Sequence, residues 1–414
     1  MLNLLNKKIY CRHCKSKNIV EFLDLNFSPL ANSYLTKDDL NKEEYYYPLQ
    51  LIVCKNCWLV QTKIFIDPKK IFKNDYAYFS SVSKSYLEHA KNYVKNISNF
   101  IKLDNSSRVI EIASNDGYLL KNFKENKIQC LGIEPTLSTA NESRKIGIPT
   151  INKFFSNQLS RRIKKKYMAD LIIANNVYAH IPDINDFTLG IKNLLKKKGI
   201  VTIEFQHLIN IFKLKQFDTI YHEHYSYLNL FTVIKIFKKF GLKVWRVEKI
   251  ETHGGSLRVF GCHKASDRKI EDNVKKILNE EKNFGLFKNK IYLNFQNEVN
   301  KIKNNLIKFL TTQSLKNKKV CAYGAAAKGN TLLNYAGVKS DLIEYIFDAA
   351  KSKINKYLPG SHIEILEPSK IFNIKPDYVL IMPWNIKKEV IKYLYPLKKN
   401  NTKFIIAIPR IQVV

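Results

Sequence analysis

The stretch R-V-I-E-I-A-S-N-D-G-Y-L-L, from Arg108 to Leu120, decides how the chain is read. Arg108 to Ile112 is a short apolar run of strand type, and Tyr118 to Asn126 has the spacing of an amphipathic helix. The small and polar residues between them predict a tight turn whose helix-opening N–H groups can meet a ligand. Neither G-x-x-x-x-G-K-[ST] nor G-x-G-x-x-G occurs here, so this is not a standard phosphate loop or dinucleotide fingerprint. A second strand, Gln129 to Ile133, runs into Glu134 and Pro135; Glu134 lies 17 residues past Gly117, a distance that suits an acid gripping ribose hydroxyls. A third, Leu171 to Ala174, ends in Asn175 and Asn176, and a fourth spans Ile200 to Phe205 after an amphipathic stretch from Ile184 to Lys196. This β-α-β rhythm implies a parallel sheet with helices on both faces. It predicts an adenosine-type cofactor held by Glu111, Ala113, Ser114, Asn115, Gly117, Tyr118, Glu134, Pro135, Asn175 and Asn176.

The rhythm repeats on a smaller scale from about Lys318. Val320 to Gly324, Leu342 to Asp348, Tyr378 to Met382 and Phe404 to Ile408 read as strands, and Ala325 to Gly337 turns helical after a run of tiny residues. Its opening, from Ala322 to Thr331, puts Ala326, Lys328 and Asn330 where a helix start can accept a diphosphate. Between the two units, Arg268 to Leu315 is polar and periodic, as expected of long linking helices.

Four of the seven cysteines fall early, as Cys11 with Cys14 and Cys54 with Cys57. Each C-x2-C pair lets two thiolates reach one tetrahedral ion from a tight turn. The 39 residues between the pairs exceed finger spacing but allow a ribbon with an insertion. A closed four-thiolate zinc site, holding a small lobe, is the expectation. Cys130, Cys262 and Cys321 sit in apolar, strand-like surroundings and read as core thiols.

The 414 residues, 45% hydrophobic and 25% charged, suit two or three globular domains and exclude a mainly disordered chain. The formal net charge is +33, an attraction toward polyanions or phosphorylated small molecules. No arginine-rich arm or RNA-binding aromatic pattern accompanies it, and runs such as Lys164 to Lys166 and Lys196 to Lys198 read as solvated element ends. There is no signal-peptide pattern and no apolar run of about 18 residues, so a cytoplasmic protein with no membrane span is expected.

Tyr221-His222-Glu223-His224-Tyr225 packs two imidazoles, a carboxylate and two phenols into five residues. The i, i+2 spacing is not that of a helical zinc site; a metal site and proton transfer by one histidine both remain open on these residues alone. On an extended segment His222 and His224 would share a face and Glu223 would point the other way. Thr252-His253-Gly254-Gly255-Ser256-Leu257-Arg258 suits a turn packed closely on a ligand or a backbone, with Arg258 able to pair with a phosphate. Upstream, Asp75 to Ser83 offers Tyr76 and Tyr78.

In this order the motifs resemble the S-adenosylmethionine-dependent C-methyltransferases that act on nucleotide-linked deoxysugars, including the C3′-methyltransferases of tetronitrose-type sugars. The carriers are the paired cysteines, D-Y-x-Y-x-S-S-x-S from Asp75, E-I-x-S-N-D-G from Glu111, Y-H-E-H from Tyr221, H-G-G-S-L-R from His253 and G-A-A-A-K-G-N from Gly324, and together they span nearly the whole chain. The resemblance implies an α/β protein with an N-terminal zinc-binding lobe, a central class I methyltransferase (Rossmann-like) domain and a C-terminal second Rossmann-like α/β domain. The corresponding residues are 1–75, 76–267 and 268–414, the last including the helical linker. It implies a structural Zn2+ on the four cysteines and S-adenosylmethionine as cofactor. The substrate would be a nucleotide-diphosphate sugar held between the lobes, with no nucleic-acid or membrane partner and a monomeric chain. His224 would remove the proton beside a ketone, with Tyr221, Glu223, His180, Tyr76 and Tyr78 around the sugar. His222, His253, Gly254, Gly255, Ser256, Arg258, Ala326, Lys328 and Asn330 would meet the substrate. Ala113 stands where many methyltransferase turns have glycine, which narrows the turn. Two rival readings are a methyltransferase for RNA and a non-catalytic zinc- or nucleotide-binding module.

Overall fold

A computed structural model describes residues 9–72, 80–82 and 84–414. The N-terminal lobe is an antiparallel sheet of β1 (Ile19–Ser28), β2 (Tyr47–Cys54) and β3 (Val60–Thr62). The insertion between the cysteine pairs is thus mostly the β1–β2 hairpin and its connection.

The central sheet forms from β4 (Arg108–Ile112), β5 (Gln129–Ile133), β6 (Thr150–Ile151), β7 (Ala169–Asn175) and β8 (Leu195–Gln206), all parallel. A hairpin of β10 (Leu242–Ile250) and β11 (Ser256–His263) adds antiparallel to β8, giving the order β10-β11-β8-β7-β4-β5-β6. Alternate residues of one strand enter opposite cores. Ile110 and Ile172 join one apolar cluster, and Val109, Leu171 and Ile173 join the other. Burial on both faces is why these strands read as continuous apolar runs. β9 (Ser226–Tyr227) leaves this unit altogether and pairs with β3, Val60 opposite Tyr227 and Gln61 opposite Ser226.

One boundary differs from expectation. The helix ends at Leu194 and β8 begins at once, so Lys196–Lys198 lie in a strand. The register with β7 slips between Ala169 and Leu171, and the extra residues bulge outward with Lys197 and Lys198 exposed.

The C-terminal sheet has β12 (Val320–Tyr323), β13 (Ile346–Phe347), β14 (Ile365–Leu366), β15 (Tyr378–Ile381), β16 (Lys403–Ile406) and β17 (Gln412–Val413) in the order β14-β13-β12-β15-β16-β17. β13 is shorter than expected because Leu342 is taken into a turn closed on Lys339. Helices Asp272–Phe284 and Asn289–Ser314 link the units. The second buries Tyr292, Phe295, Val299, Ile302, Leu306 and Leu310 at three- and four-residue spacing. Phe22 of the first lobe and Phe212 of the central unit pack on this stripe, so all three units share one apolar cluster. Among the described residues no helix is long and apolar enough to cross a membrane.

Arg258 is not available to a phosphate. It stands directly across from Glu204 on the neighbouring strand, with its Nε donating to Oε1 at 2.6 Å, and Tyr93 lies under the guanidinium. Burial alone would raise the Glu204 carboxyl, but bonds from His89 and Arg258 hold it below its ordinary value. Replacing Arg258 by Met leaves a buried carboxylate without its counter-charge and should cost about 3–5 kcal/mol in urea unfolding. The double variant Arg258→Met/Glu204→Met should recover most of that loss. A single variant within ~1 kcal/mol of the parent would show that the pair does not hold the hairpin to the sheet.

Candidate active site

The two cysteine pairs fold as matching knuckles. In each, the residue after the second cysteine adopts a left-handed backbone, Lys15 at φ 63° and Trp58 at φ 59°. Its N–H returns to the carbonyl of the first cysteine, Lys15 to Cys11 at 2.9 Å and Trp58 to Cys54 at 2.8 Å. The knuckles bring Cys11 Sγ to 3.4 Å from Cys57 Sγ and Cys14 Sγ to 3.5 Å from Cys54 Sγ, with all four sulfurs within 4.8 Å of one another. Zn–S bonds of about 2.3 Å in a tetrahedron need sulfurs roughly 3.8 Å apart, so the cage fits Zn2+ and offers no fifth position. The neighbouring Cys11 and Cys54, with burial, push the Cys57 thiol up, and a bound cation would favour its thiolate instead.

Both Rossmann-like sheets reverse strand order once, between β4 and β7 and between β12 and β15. Open α/β sheets bind ligands at that point, beyond the carboxyl ends of the strands. The two reversal points open on one cavity of about 620 Å3, which Asn32, Asp67 and Phe72 of the N-terminal segment also line. Of the expected site residues, Ala113, Asn115, Tyr118, Glu134, Pro135, Asn175, Asn176, His180, Tyr221, Glu223, His224, Ala326 and Lys328 reach it.

At the β4 end, Ala113, Asn115 and Gly117 all take left-handed backbone, at φ 57°, 50° and 77°. Glu134 grips that turn: Oε2 accepts the Asn115 N–H and Oε1 the Thr136 N–H, both at 2.9 Å. Burial raises its carboxyl while these bonds oppose the shift. A carboxylate fixed at both oxygens at the end of β5 and lining the cavity is placed where a ribose diol can be met. The Asn176 side chain donates to Tyr86 Oη at 3.1 Å, and Tyr118 stacks on Tyr86. Glu111, Ser114 and Gly117 support this turn from behind. A Cβ on Gly117 would meet Ser143 Oγ at 2.8 Å, and one on Gly132 would meet Ser114 Oγ at 2.5 Å. Glu111 is fully buried on β4, and burial together with Asp116 and Glu134 raises its carboxyl well above the ordinary range.

Tyr221 to Tyr225 is a tight turn rather than an extended segment, because the His224 N–H closes on the Tyr221 carbonyl at 3.0 Å. The expected facing is therefore overturned. Glu223 and His224 both line the cavity, while His222 turns away and sets its Nε2 3.3 Å from the Pro48 carbonyl. Asn32 donates to Glu223 Oε1 at 2.7 Å. His224 Nδ1 lies 2.8 Å from the Thr219 carbonyl, which can only accept; this assigns the proton to Nδ1 and makes Nε2 the basic nitrogen. Tyr221 packs 4.1 Å from the His224 ring, and His180 meets it edge-on at 4.5 Å. Burial lowers His180 to about 4, so that ring is neutral near pH 7.

On the β12 side, Lys328 lines the cavity 4.9 Å over the Trp384 ring, and its Nζ has no hydrogen-bond partner among the described residues. Trp384 Nε1 donates to Asp218 Oδ2 at 2.7 Å. Gly254 makes room for that indole, since a Cβ would sit 2.5 Å from it, and Gly255 at φ 103° lies against Asn210. The glycine pair thus joins the second and third units instead of meeting the cavity, and Ser256 lies with it at the start of β11, its Oγ donating to Thr252 O. Asn330 is also taken, donating to the Ala31 carbonyl at 3.1 Å. Tyr76, Tyr78 and the side chain of His253 lie outside the described residues. Asn32, Phe72, Tyr86, Gln206, Tyr227 and Lys353 line the cavity without a signal in the sequence; separate elements deliver them one at a time.

Models of three families match consecutive stretches of the chain. They are described as "Putative zinc binding domain" over residues 11–72, "Methyltransferase domain" over 86–247 and "C-methyltransferase C-terminal domain" over 251–409. The C-methyltransferase NovU of Streptomyces niveus is 30% identical over 98% of this chain and 96% of that protein. Among solved structures, an S-adenosylmethionine-dependent methyltransferase from Clostridium acetobutylicum is 13% identical over 43% of this chain and 92% of that one, with TM-score 0.36. Magnesium protoporphyrin IX methyltransferase from Synechocystis with bound SAM is 12% identical over 43% of this chain and 81% of that one, with TM-score 0.33.

His222 gives the site a pH signature. Burial lowers it from 6.5 to about 4, against the carbonyls of Pro48 and Tyr47. The unfolded chain then binds a proton that the folded chain refuses between pH 6.5 and 4. Stability should therefore fall as the pH drops through that window, with about 3 kcal/mol due to this group. His222→Phe should lessen the slope of unfolding free energy against pH, leaving the part that buried His180 supplies in the same window; an unchanged slope would remove His222 as a source.

Proposed function

Because the chain belongs to the S-adenosylmethionine-dependent C-methyltransferases, the zinc-bearing family of NovU, we propose that it methylates a ring carbon of a nucleotide-linked keto-deoxysugar, at C3 of a 4-keto-6-deoxy sugar. A sugar carbon becomes a nucleophile only when a neighbouring carbonyl spreads the charge as an enolate. Such a reaction needs a base of near-neutral pKa aimed at one C–H bond. The observation that carries the reading is His224, oriented by the Thr219 carbonyl with Nε2 as its basic nitrogen and lining the cavity that both sheet reversals share.

In this reading Nε2 takes the proton from C3, the electron pair moves toward the C4 oxygen, and the resulting enolate carbon accepts the methyl group. S-adenosylmethionine, when bound, supplies that methyl as an electrophile on a positively charged sulfur. Glu134 holds the ribose hydroxyls, while Asn115, Tyr118 and Asn176 flank the rest of the cofactor. Glu223, braced by Asn32, and Tyr221 orient the sugar. Lys328 and the Ala326 end of helix Ala327–Ala336 face the diphosphate, where a buried Nζ with Asp218 nearby but no hydrogen-bond partner among the described residues can meet an anion. His180, kept neutral by burial, adds no charge to repel the imidazolium that forms at His224.

Zinc touches none of these steps. Four reduced thiols and a nucleotide-sugar substrate suit the cytoplasm, and three units of a single chain close the cavity, so the reading requires no second copy.

Incubation with S-adenosylmethionine and a 4-keto-6-deoxy nucleotide sugar should yield a product heavier by one methylene. Solvent deuterium should enter the substrate when S-adenosylhomocysteine replaces the methyl donor. His224→Asn should lower both rates by about 10²- to 10⁴-fold while binding of the methyl donor stays normal. Full deuterium exchange in that variant would exclude His224 as the base.

A further inference from the structure

The first zinc knuckle reads Cys11-Arg12-His13-Cys14, and its arginine is part of no catalytic step above. Arg12 Nη1 donates to the Thr62 carbonyl at 2.7 Å, and Nη2 to the carbonyl of Tyr225, the residue that follows His224. The Tyr225 carbonyl also accepts the Thr62 N–H at 3.1 Å. The backbone N–H of Arg12 donates to Gln61 Oε1 at 3.0 Å, and Gln61 is the residue paired with Ser226 across β3 and β9. One side chain therefore joins a metal knuckle, the last strand of the zinc lobe and the exit of the base turn.

Its charge has a counterpart in the same place. Arg12 is half-buried, and among the described residues no carboxylate forms an ion pair with it; its guanidinium bonds go to the Thr62 and Tyr225 carbonyls. A cation drawn partly out of water favours a nearby opposite charge. Four thiolates around one Zn2+ carry a formal charge of two minus, and the knuckle holds that charge one residue from the guanidinium. Lys235 and Lys239 also donate to knuckle carbonyls, at Asn56 and His13, but neither has a bond to the base turn.

We infer that Arg12 is a positioning residue through which the zinc centre sets the placement of His224. The inference rests on the reading of His224 as the base. It makes the metal a determinant of catalytic geometry from a distance: without zinc, or without the guanidinium, the Tyr225 carbonyl loses a donor and the turn loosens at its exit.

Full-length Arg12→Met and Arg12→Lys should each retain one zinc per chain by atomic emission. Arg12→Met should show faster backbone amide exchange over residues 219–228 and unchanged exchange over 111–118. Its rate of deuterium entry into the keto-sugar should fall about 10- to 100-fold, the size expected of a base displaced by ~1 Å, with KM for S-adenosylmethionine unaltered. Arg12→Lys, which keeps the charge but cannot span both carbonyls, should recover part of the rate. It also supplies the test should Arg12→Met fail to fold. Chelation of zinc from the parent protein should reproduce the amide pattern over 219–228. Zinc-loaded Arg12→Met with parental amide exchange and parental deuterium entry would overturn the inference. A parent protein that exchanges no substrate proton would instead defeat the base assignment, and the amide pattern would still judge Arg12.

Discussion

Two rungs of backbone pairing, Val60 with Tyr227 and Gln61 with Ser226, hold the middle of the chain to its beginning. Everything proposed for the chemistry depends on them. A pair this short is weak by itself, since isolated two-stranded ribbons are marginal in water. It persists because neighbours saturate the same segment. Tyr225 Oη donates to the Ile66 carbonyl, Arg12 reaches the Tyr225 carbonyl, and His222 wedges against Tyr47 and Pro48. From the far side, Thr331 of the third unit donates to the Ile220 carbonyl. The turn from Tyr221 to Tyr225 is thereby gripped by all three units, which suits the precision that the proposed proton transfer needs.

The division of labour follows from what each unit can supply. Parallel sheets buried on both faces give rigid strand ends, and their reversal points leave crevices for extended ligands. The imidazole that follows β7 at the first reversal point, His180, is kept neutral by burial, and the proposed base comes instead from a connection that neither sheet would hold still. The zinc lobe is too small for a large apolar core of its own, so a metal cage and the shared cluster around Tyr292 and Phe295 stabilise it. On the inference drawn from Arg12, its structural metal and the proposed chemistry in the cavity are parts of one mechanical arrangement.

The strand–turn–helix at Arg108 to Leu120 was legible because apolar period and turn chemistry are local properties, and the same holds for the cysteine knuckles and the alternation of strands and helices. What depended on tertiary placement was not. The Y-H-E-H-Y run looks extended by residue type, yet one bond from His224 N–H to the Tyr221 carbonyl curls it and exchanges the facings of His222 and Glu223. Arg258 follows a glycine turn that resembles a ligand contact, but strand register sets it opposite a buried Glu204. Asn32 and Lys353 reach the cavity from opposite ends of the chain, a proximity that no spacing encodes. The charge of +33 was the least informative signal: Lys164–Lys166, Lys197 and Lys198 face solvent, and only Lys69, Lys328 and Lys353 among the described lysines line the cavity.

The most direct test is a crystal structure of the protein with S-adenosylhomocysteine and a 4-keto-6-deoxy nucleotide sugar bound together. The His224 imidazole should lie with Nε2 about 3–3.5 Å from the sugar carbon beside the ketone, and that carbon should present its opposite or adjoining face to the cofactor sulfur. A sugar ring seated with His224 beyond reach, and another group against that carbon, would contradict the central claim.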